Sequence, residues 1–286
     1  EEIPGNPWGG GTKRGRGSPL QKLGVGLGLK RLHRLLEHEP GDLTATLQAG
    51  MTLEALEATL SRSGQWLSLD PAFPERATLG GILATNASGP RRHLYGTARD
   101  LLIGITVVEA DGAVVHGGGK VVKNVAGYDL PKLYIGSFGS LGVIVELTVK
   151  LRPLPEDDRA LLVRFQRLKE CAQALRLLMG SDLIPSAVEL LDGEALGGLD
   201  LSSAEGGALL IGFDGLPEQV EWQAEEARKL FEPLGLAEWR LLDGPARDRA
   251  WRAVREVGHR VFPEPAAVVK LGVLPTQVVE TIEQTA

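Results

Sequence analysis

The chain has 286 residues, 43% of them hydrophobic, with 31 Lys and Arg against 37 Asp and Glu and a formal net charge of −6. That length and apolar content support a buried core spread over two domains, and the acidic balance without a basic block excludes nucleic acid as the main partner. No apolar run approaches the roughly 18 residues of a membrane span, no secretory leader is visible, and the lone cysteine permits no internal disulfide, which fits a reducing cytoplasm.

The first element is a loop, Trp8-Gly-Gly-Gly-Thr-Lys-Arg-Gly-Arg-Gly17. Consecutive glycines can turn several backbone N–H groups toward one concavity and so form an anion nest. Residues 43–49 alternate as a half-buried strand, and Gly50-Met-Thr52 introduces a helix through Leu53, Leu56 and Leu60. Thr78 is an N-cap for a short helix from Leu79 to Ala87, which Gly89-Pro90 stops. Gly80 and Gly81 weaken its first turn. Either they let an anion sit against the unpaired N–H groups at the positive end of the helix, or they permit tight helix packing.

Arg91, Arg92 and His93 follow. The two arginines are suited to hold phosphate or a substrate carboxylate, or to make exposed ion pairs. Leu102–Ala110 and Ala113–His116 read as a hairpin across Asp111-Gly112 in a type I′ turn. A third glycine cluster, Gly136-Ser-Phe-Gly-Ser-Leu-Gly142, runs into a β-branched strand from Val143 to Leu151. None of these loops fits the Walker or Rossmann pattern. Three phosphate-type loops within the first half of the chain predict a large, extended nucleotide cofactor.

Pro153-Leu-Pro155-Glu-Asp-Asp158 is polar and punctuated by proline, and marks the domain boundary as a solvated linker. After it the pattern predicts strand 160–165, helix 168–179, strands 187–191 and 208–213, helix 218–231, strand 238–242, helix 246–255 and strand 267–271. The β-α-β-β-α-β part of that order is the ferredoxin-like alternation. Trp222, Trp239 and Trp251 fall at helix or strand positions and are assigned to the core, as is the thiol of Cys171. The five histidines are dispersed, so no metal site is predicted, and no Gly-x-Ser-x-Gly elbow anchors hydrolysis.

The order Gly9-Gly-Gly-Thr12, Thr78-Leu-Gly-Gly81, Asn86-Ala-Ser-Gly89, Gly127-Tyr-Asp-Leu130 and Gly136-Ser-Phe-Gly-Ser-Leu-Gly-Val-Ile144 resembles FAD-binding proteins of the vanillyl-alcohol oxidase/p-cresol methylhydroxylase (PCMH) type. Within that superfamily, Gly89-Pro-Arg-Arg92 and Val122-Lys-Asn-Val-Ala-Gly-Tyr-Asp-Leu130 are most similar to the FAD-binding subunit of bacterial glycolate oxidases. The match covers about residues 4 to 155. It implies an α+β fold, with a PCMH-type FAD-binding domain of two α/β subdomains over 1–155 and a ferredoxin-like α+β substrate or cap domain over 156–286, incomplete at its end.

The resemblance also implies FAD, held by Gly9, Gly10, Gly11, Thr12, Thr78, Gly80, Gly81, Asn86, Gly89, Asn124, Gly127, Tyr128, Gly139, Gly142 and Ile144. For catalysis proper, Tyr128 reads slightly better as a packed core ring with a satisfied hydroxyl. The FAD is expected to be non-covalent, because the first loop contains neither Cys nor His. The implied activity is oxidation of a small 2-hydroxy acid, glycolate to glyoxylate, with Arg91, Arg92 and Tyr128 as the catalytic candidates. The implied partners are a larger FAD-containing glycolate-oxidising subunit and an iron–sulfur subunit, in the cytoplasm or peripheral to the inner membrane through them. Two departures from the family pattern stand out. Residues 156–286 hold only His259, where metal-assisted 2-hydroxyacid dehydrogenases carry a histidine-rich motif, and the Asn-Pro-Gly-like ending is absent. They favour a subunit that does not turn over 2-hydroxy acids alone, including a non-catalytic electron relay or scaffold. A chain starting at Glu1 is also read as a fragment.

Overall fold

The structure is a computed structural model that describes residues 5–13, 24–119, 129–198, 206–257, 269 and 271–285. The chain divides into two compact units, Glu1–Leu154 and Pro155–Ala286.

The first unit opens with two short parallel strands, β1 (Gly5–Trp8) and β2 (Val25–Gly28). Its core is a five-stranded antiparallel sheet ordered β3-β4-β8-β6-β7, from β3 (Leu35–Glu39), β4 (Thr44–Gln48), β6 (Leu102–Val108), β7 (Val114–Gly118) and β8 (Val143–Lys150). A two-stranded ribbon joins β5 (Gln65–Trp66) to β9 (Arg152–Pro153). Helices α1 (Leu53–Leu60) and α2 (Leu79–Thr85) bury Leu53, Leu56, Leu60, Leu79, Ile82 and Leu83 in one cluster with Leu47, Ile105, Val107 and Leu147. The short helices α3 (Arg92–Tyr95), α4 (Ala98–Leu101) and α5 (Leu130–Tyr134) complete the unit. The expected helix start is as read: Thr52 caps α1 by accepting from the Ala55 N–H.

Three local expectations need correction. Leu43 lies outside β4 because its φ is +52°. The 102–116 hairpin does not turn through type I′, which needs positive φ at both central residues, and only Gly112 (φ +87°) has it. The Gly112 N–H donates to Glu109 O and the Glu109 N–H to Ala113 O, so this is a type I turn with a glycine bulge, supported by the Asp111 carboxylate accepting from the Ala113 N–H. The helix from Leu79 ends at Thr85, because Asn86 turns left-handed at φ +47° and the Ala87 N–H returns to Ile82 O.

In the second unit, β10 (Asp157–Phe165), β11 (Ala187–Asp192), β12 (Gly207–Gly215) and β13 (Leu236–Leu242) form an antiparallel sheet ordered β11-β12-β10-β13. In order of appearance that is 2-3-1-4, the ferredoxin-like arrangement. Helices α6 (Leu168–Met179) and α8 (Pro217–Phe231) cover one face against Leu161, Val163 and Phe213. Helices α7 (Gly193–Gly198) and α9 (Gly244–Arg255) cover the other against Ala160, Leu162 and Leu210. Both faces being buried is why the central strands read as unbroken apolar runs, Ala160-Leu-Leu-Val163 and Ala208-Leu-Leu-Ile211. The last described element is α10 (Val278–Thr285).

Asp157 and Asp158 are strand residues rather than a solvated linker, because cations meet them: Arg159 at 2.8 Å and Arg247 at 3.3 Å. The strand expected over 267–271 falls mostly outside the described residues, and Val269 and Leu271 lie in no strand. Trp251 is buried as expected, but Trp222 is 54% exposed, since α8 turns Val220, Gln223 and Ala224 inward instead. Burial pushes the Cys171 thiol up to about 12, that of an inert core group.

Candidate functional site

Helix α2 is the hub on which the glycine loops meet. Thr78, itself buried, caps it by accepting from the Gly81 N–H at 3.3 Å. The Leu79 N–H donates to Met51 O at 2.8 Å and the Gly80 N–H to Ala49 O at 2.7 Å. The first three N–H groups are therefore spent inside the protein. Gly80 is glycine because a Cβ there would stand 2.8 Å from the Ala49 Cβ, so tight packing is the reading that holds at this position. At Gly81 a Cβ would meet only Thr78 Oγ1, at 3.1 Å.

The first glycine loop lies across the start of this helix. A Cβ on Gly9 would fall on the Thr78 hydroxyl and one on Gly10 against the Arg76 carbonyl, so only bare backbone fits. Gly11 adopts φ +73°. Among the described residues, the backbone N–H groups of Gly9, Gly10, Gly11 and Thr12 have no hydrogen-bond partner. Four adjacent open donors on one tight loop are what the anion nest expected there requires.

The third loop docks on the other end of α2. The Gly136 N–H donates to Leu83 O at 3.0 Å and the Phe138 N–H to Ala84 O at 2.8 Å. Gly139 (φ +77°) sits against the Pro7 ring of β1, which brings the third loop beside the first. Gly142 lets β8 approach Val107, and Ile144 is 4% exposed in the sheet core, so both support the loop from behind. Asn86 is exposed at the turn that ends α2. Asn124, Gly127 and Tyr128, like Lys120 and Lys123, lie outside the described residues.

After α2, Gly89 presses on Asp70, leaving no space for a Cβ. The Asp70 carboxylate, 6% exposed, accepts from the Arg91 N–H at 3.1 and 3.2 Å. The Arg91 guanidinium stacks over the Trp66 ring at 4.8 Å. Arg92 is exposed on α3, and His93 beside it is exposed with enough desolvation to lower its pKa. Between Asn86 and Gly89, the Ser88 hydroxyl is buried and has no partner.

Sequence reasoning missed Glu57 and Asp70. Burial pushes the Glu57 carboxyl up to about 7, against the opposing pull of the Leu67 N–H, which it accepts at 2.9 Å, and of Arg91. The only sign of Asp70 in the sequence is an acid closing the apolar run Trp66-Leu-Ser-Leu69. Among the described residues no group of three His, Cys, Asp or Glu is placed to hold a metal ion, and no helix is long and apolar enough to cross a membrane.

Two family models match: an FAD binding domain over residues 1–118 and the C-terminal domain of FAD linked oxidases over 154–270. Glycolate oxidase subunit GlcD of Bacillus subtilis is 36% identical over 231 residues, 78% of this chain and 49% of the relative. A D-lactate dehydrogenase of Archaeoglobus fulgidus is 34% identical, over 82% of this chain and 53% of its own length. Glycolate oxidase subunit GlcE of Escherichia coli is 40% identical over 133 residues, 46% of this chain and 38% of its own. The chain thus spans about half the length, or less, of these relatives. In solved structures the fold is shared with p-cresol methylhydroxylase with substrate bound, at TM-score 0.72 and 20% identity over 90% of this chain and 59% of that one.

Proposed function

The chain belongs to the FAD-linked oxidases of the PCMH-type FAD-binding superfamily, and from that premise we propose that it is the flavin-binding part of an oxidoreductase acting on the CH–OH group of a small 2-hydroxy acid. The observation that carries the reading is the set of four unpartnered N–H groups from Gly9 to Thr12, held against the start of α2. These residues fit a pyrophosphate, which needs bare backbone donors in a concavity. The first turn of α2 does not fit one, because its N–H groups are already bound. Ser88 offers a further buried hydroxyl for the cofactor.

When bound, FAD supplies the acceptor for the hydride equivalent that leaves the α-carbon. The chain's own contribution is to bind and orient. Loop one donates N–H groups, α2 fixes that loop at Arg76–Thr78, and the third loop closes against Pro7 and the end of α2. FAD is held non-covalently, with Asn124, Gly127 and Tyr128 along it by resemblance.

Glycolate is the substrate we favour, and the working form is a complex with a larger FAD-containing glycolate oxidase subunit and an iron–sulfur subunit in the cytoplasm. Similarity to both GlcD and GlcE supports the multi-subunit reading. A second reading, an electron relay or scaffold subunit, is favoured by the near absence of histidine after residue 156. Dye-linked oxidation of glycolate and D-lactate, by this chain alone and by the co-expressed complex, separates them. We expect FAD in the isolated chain and turnover only in the complex. Robust turnover by the isolated chain would overturn the subunit reading, and lack of FAD would overturn the flavin reading.

A further inference from the structure

We propose that Arg91 is a positioning residue for the flavin loop: its guanidinium, stacked on Trp66, holds the Asn86–Gly89 segment where its backbone and Ser88 hydroxyl meet the cofactor. The inference rests on the flavin reading above and goes beyond it, because Arg91 acts here through its neighbours.

Beyond the turn at Asn86, the segment has little backbone ladder of its own. The Arg92 N–H to Gly89 O bond, at 3.3 Å, is long. Its path is set from outside, by two contacts on one buried carboxylate. Gly89 packs on Asp70, and the Arg91 N–H donates to both Asp70 oxygens. An N–H could come from almost any residue at position 91, so the arginine side chain needs its own reason. That reason is Trp66. The indole is buried, its Nε1–H donates to Pro153 O at 3.0 Å, and its strand pairs with β9. The cation over this ring therefore docks the loop segment on a residue held in a paired strand.

The platform continues. Tyr95 meets Trp66 edge-on, with ring centroids 5.3 Å apart, and Arg152 lies 5.1 Å over the Tyr95 ring. The ladder Arg91–Trp66–Tyr95–Arg152 thus clamps both ends of the 91–95 turn to the ribbon that closes the first unit. Glu57, which accepts from the Leu67 N–H beside Trp66, also feels the Arg91 charge. The buried Ser88 hydroxyl, three residues before Arg91 and without a protein partner, is the group whose placement this clamp fixes.

The test is the FAD dissociation constant of the full chain, measured by flavin fluorescence well below the melting midpoint, where circular dichroism shows each variant folded. A residue with a purely structural part lowers the midpoint and leaves the affinity of the folded protein unchanged. Arg91→Met keeps the aliphatic stem and removes the cation, and we expect FAD to bind about tenfold weaker or worse. Arg91→Lys returns the charge and is expected to recover most of that loss. Trp66→Phe, which keeps a smaller ring and removes the Nε1–H, is expected to fall between them, and it decides the matter if Arg91→Met does not fold. Wild-type affinity in Arg91→Met, or in Trp66→Phe where Arg91→Met does not fold, would overturn the positioning inference while leaving the flavin reading intact. Failure of the wild-type chain to bind FAD would overturn both.

Discussion

The Gly80 N–H donates to the Ala49 carbonyl at 2.7 Å, so the helix start that looks most available to an anion is tied to the sheet beneath it. Gly80→Ala puts a methyl 2.8 Å from the Ala49 Cβ and 3.0 Å from its carbonyl. The expected cost is about 1–3 kcal/mol of stability, as for overpacked sites generally. Gly81→Ala meets only the tip of Thr78, gains helix propensity, and is expected to stay within about 1 kcal/mol of wild type. Urea unfolding of the two variants checks this. Equal destabilisation would refute the packing account of Gly80.

Flavin retention separates the first loop from the second. Gly10→Ala drives a methyl into the Arg76 carbonyl, a backbone atom that cannot swing aside, and so lifts the Gly9–Thr12 donors off α2. We expect at least about a tenfold loss of FAD affinity, a little over one kcal/mol of binding. Gly81→Ala should keep its flavin. The 450 nm absorbance remaining after gel filtration reads both, and the opposite ranking would return the anion to the start of α2.

Much of this architecture was legible before the structure, and the misreadings have physical causes. Thr52 and Thr78 announced their helices because an N-cap is a local device, complete within four residues. The second sheet was legible because its strands and helices alternate with clear periods, although Asp157 and Asp158 hid the start of β10: the Arg247 that meets Asp158 there is almost ninety residues away. The glycine loops were found, but which of them keeps open donors was not. That depends on Ala49 and Met51, about thirty residues away, reaching the N–H groups of α2. Asp70 and Glu57 were missed for the same reason, since their partners Arg91 and Leu67 become neighbours only on folding.

Glu57 gives the first unit a pH dependence of definite sign. Its folded pKa of about 7 lies above its ordinary value of 4.5, so between those values the folded state binds more protons than the unfolded one. Stability therefore falls as pH rises from about 4.5 through 7 and levels off above. Glu57→Gln keeps an oxygen for the Leu67 N–H without the charge. It should match wild type near pH 5 and be more stable by about 1–3 kcal/mol at pH 8. Urea midpoints of both proteins across that range are the measurement, and a difference that does not change with pH would sink the assignment.

Acid should strip the flavin completely. A covalent flavin needs a nucleophile at the cofactor, most often a Cys or His side chain. The first loop has neither, and the third, from Gly136 to Gly142, has neither. His93 follows the second loop, on exposed α3. Cys171 lies in the core of the other unit, with its thiol pushed up to about 12, so almost none of it is thiolate at neutral pH. Two readouts follow from the same chemistry. Trichloroacetic acid should leave a colourless pellet and a yellow supernatant, and native protein should resist iodoacetamide until urea exposes the thiol. Yellow in the pellet would mean that a covalent link exists, and a peptide map of that pellet would name the residue.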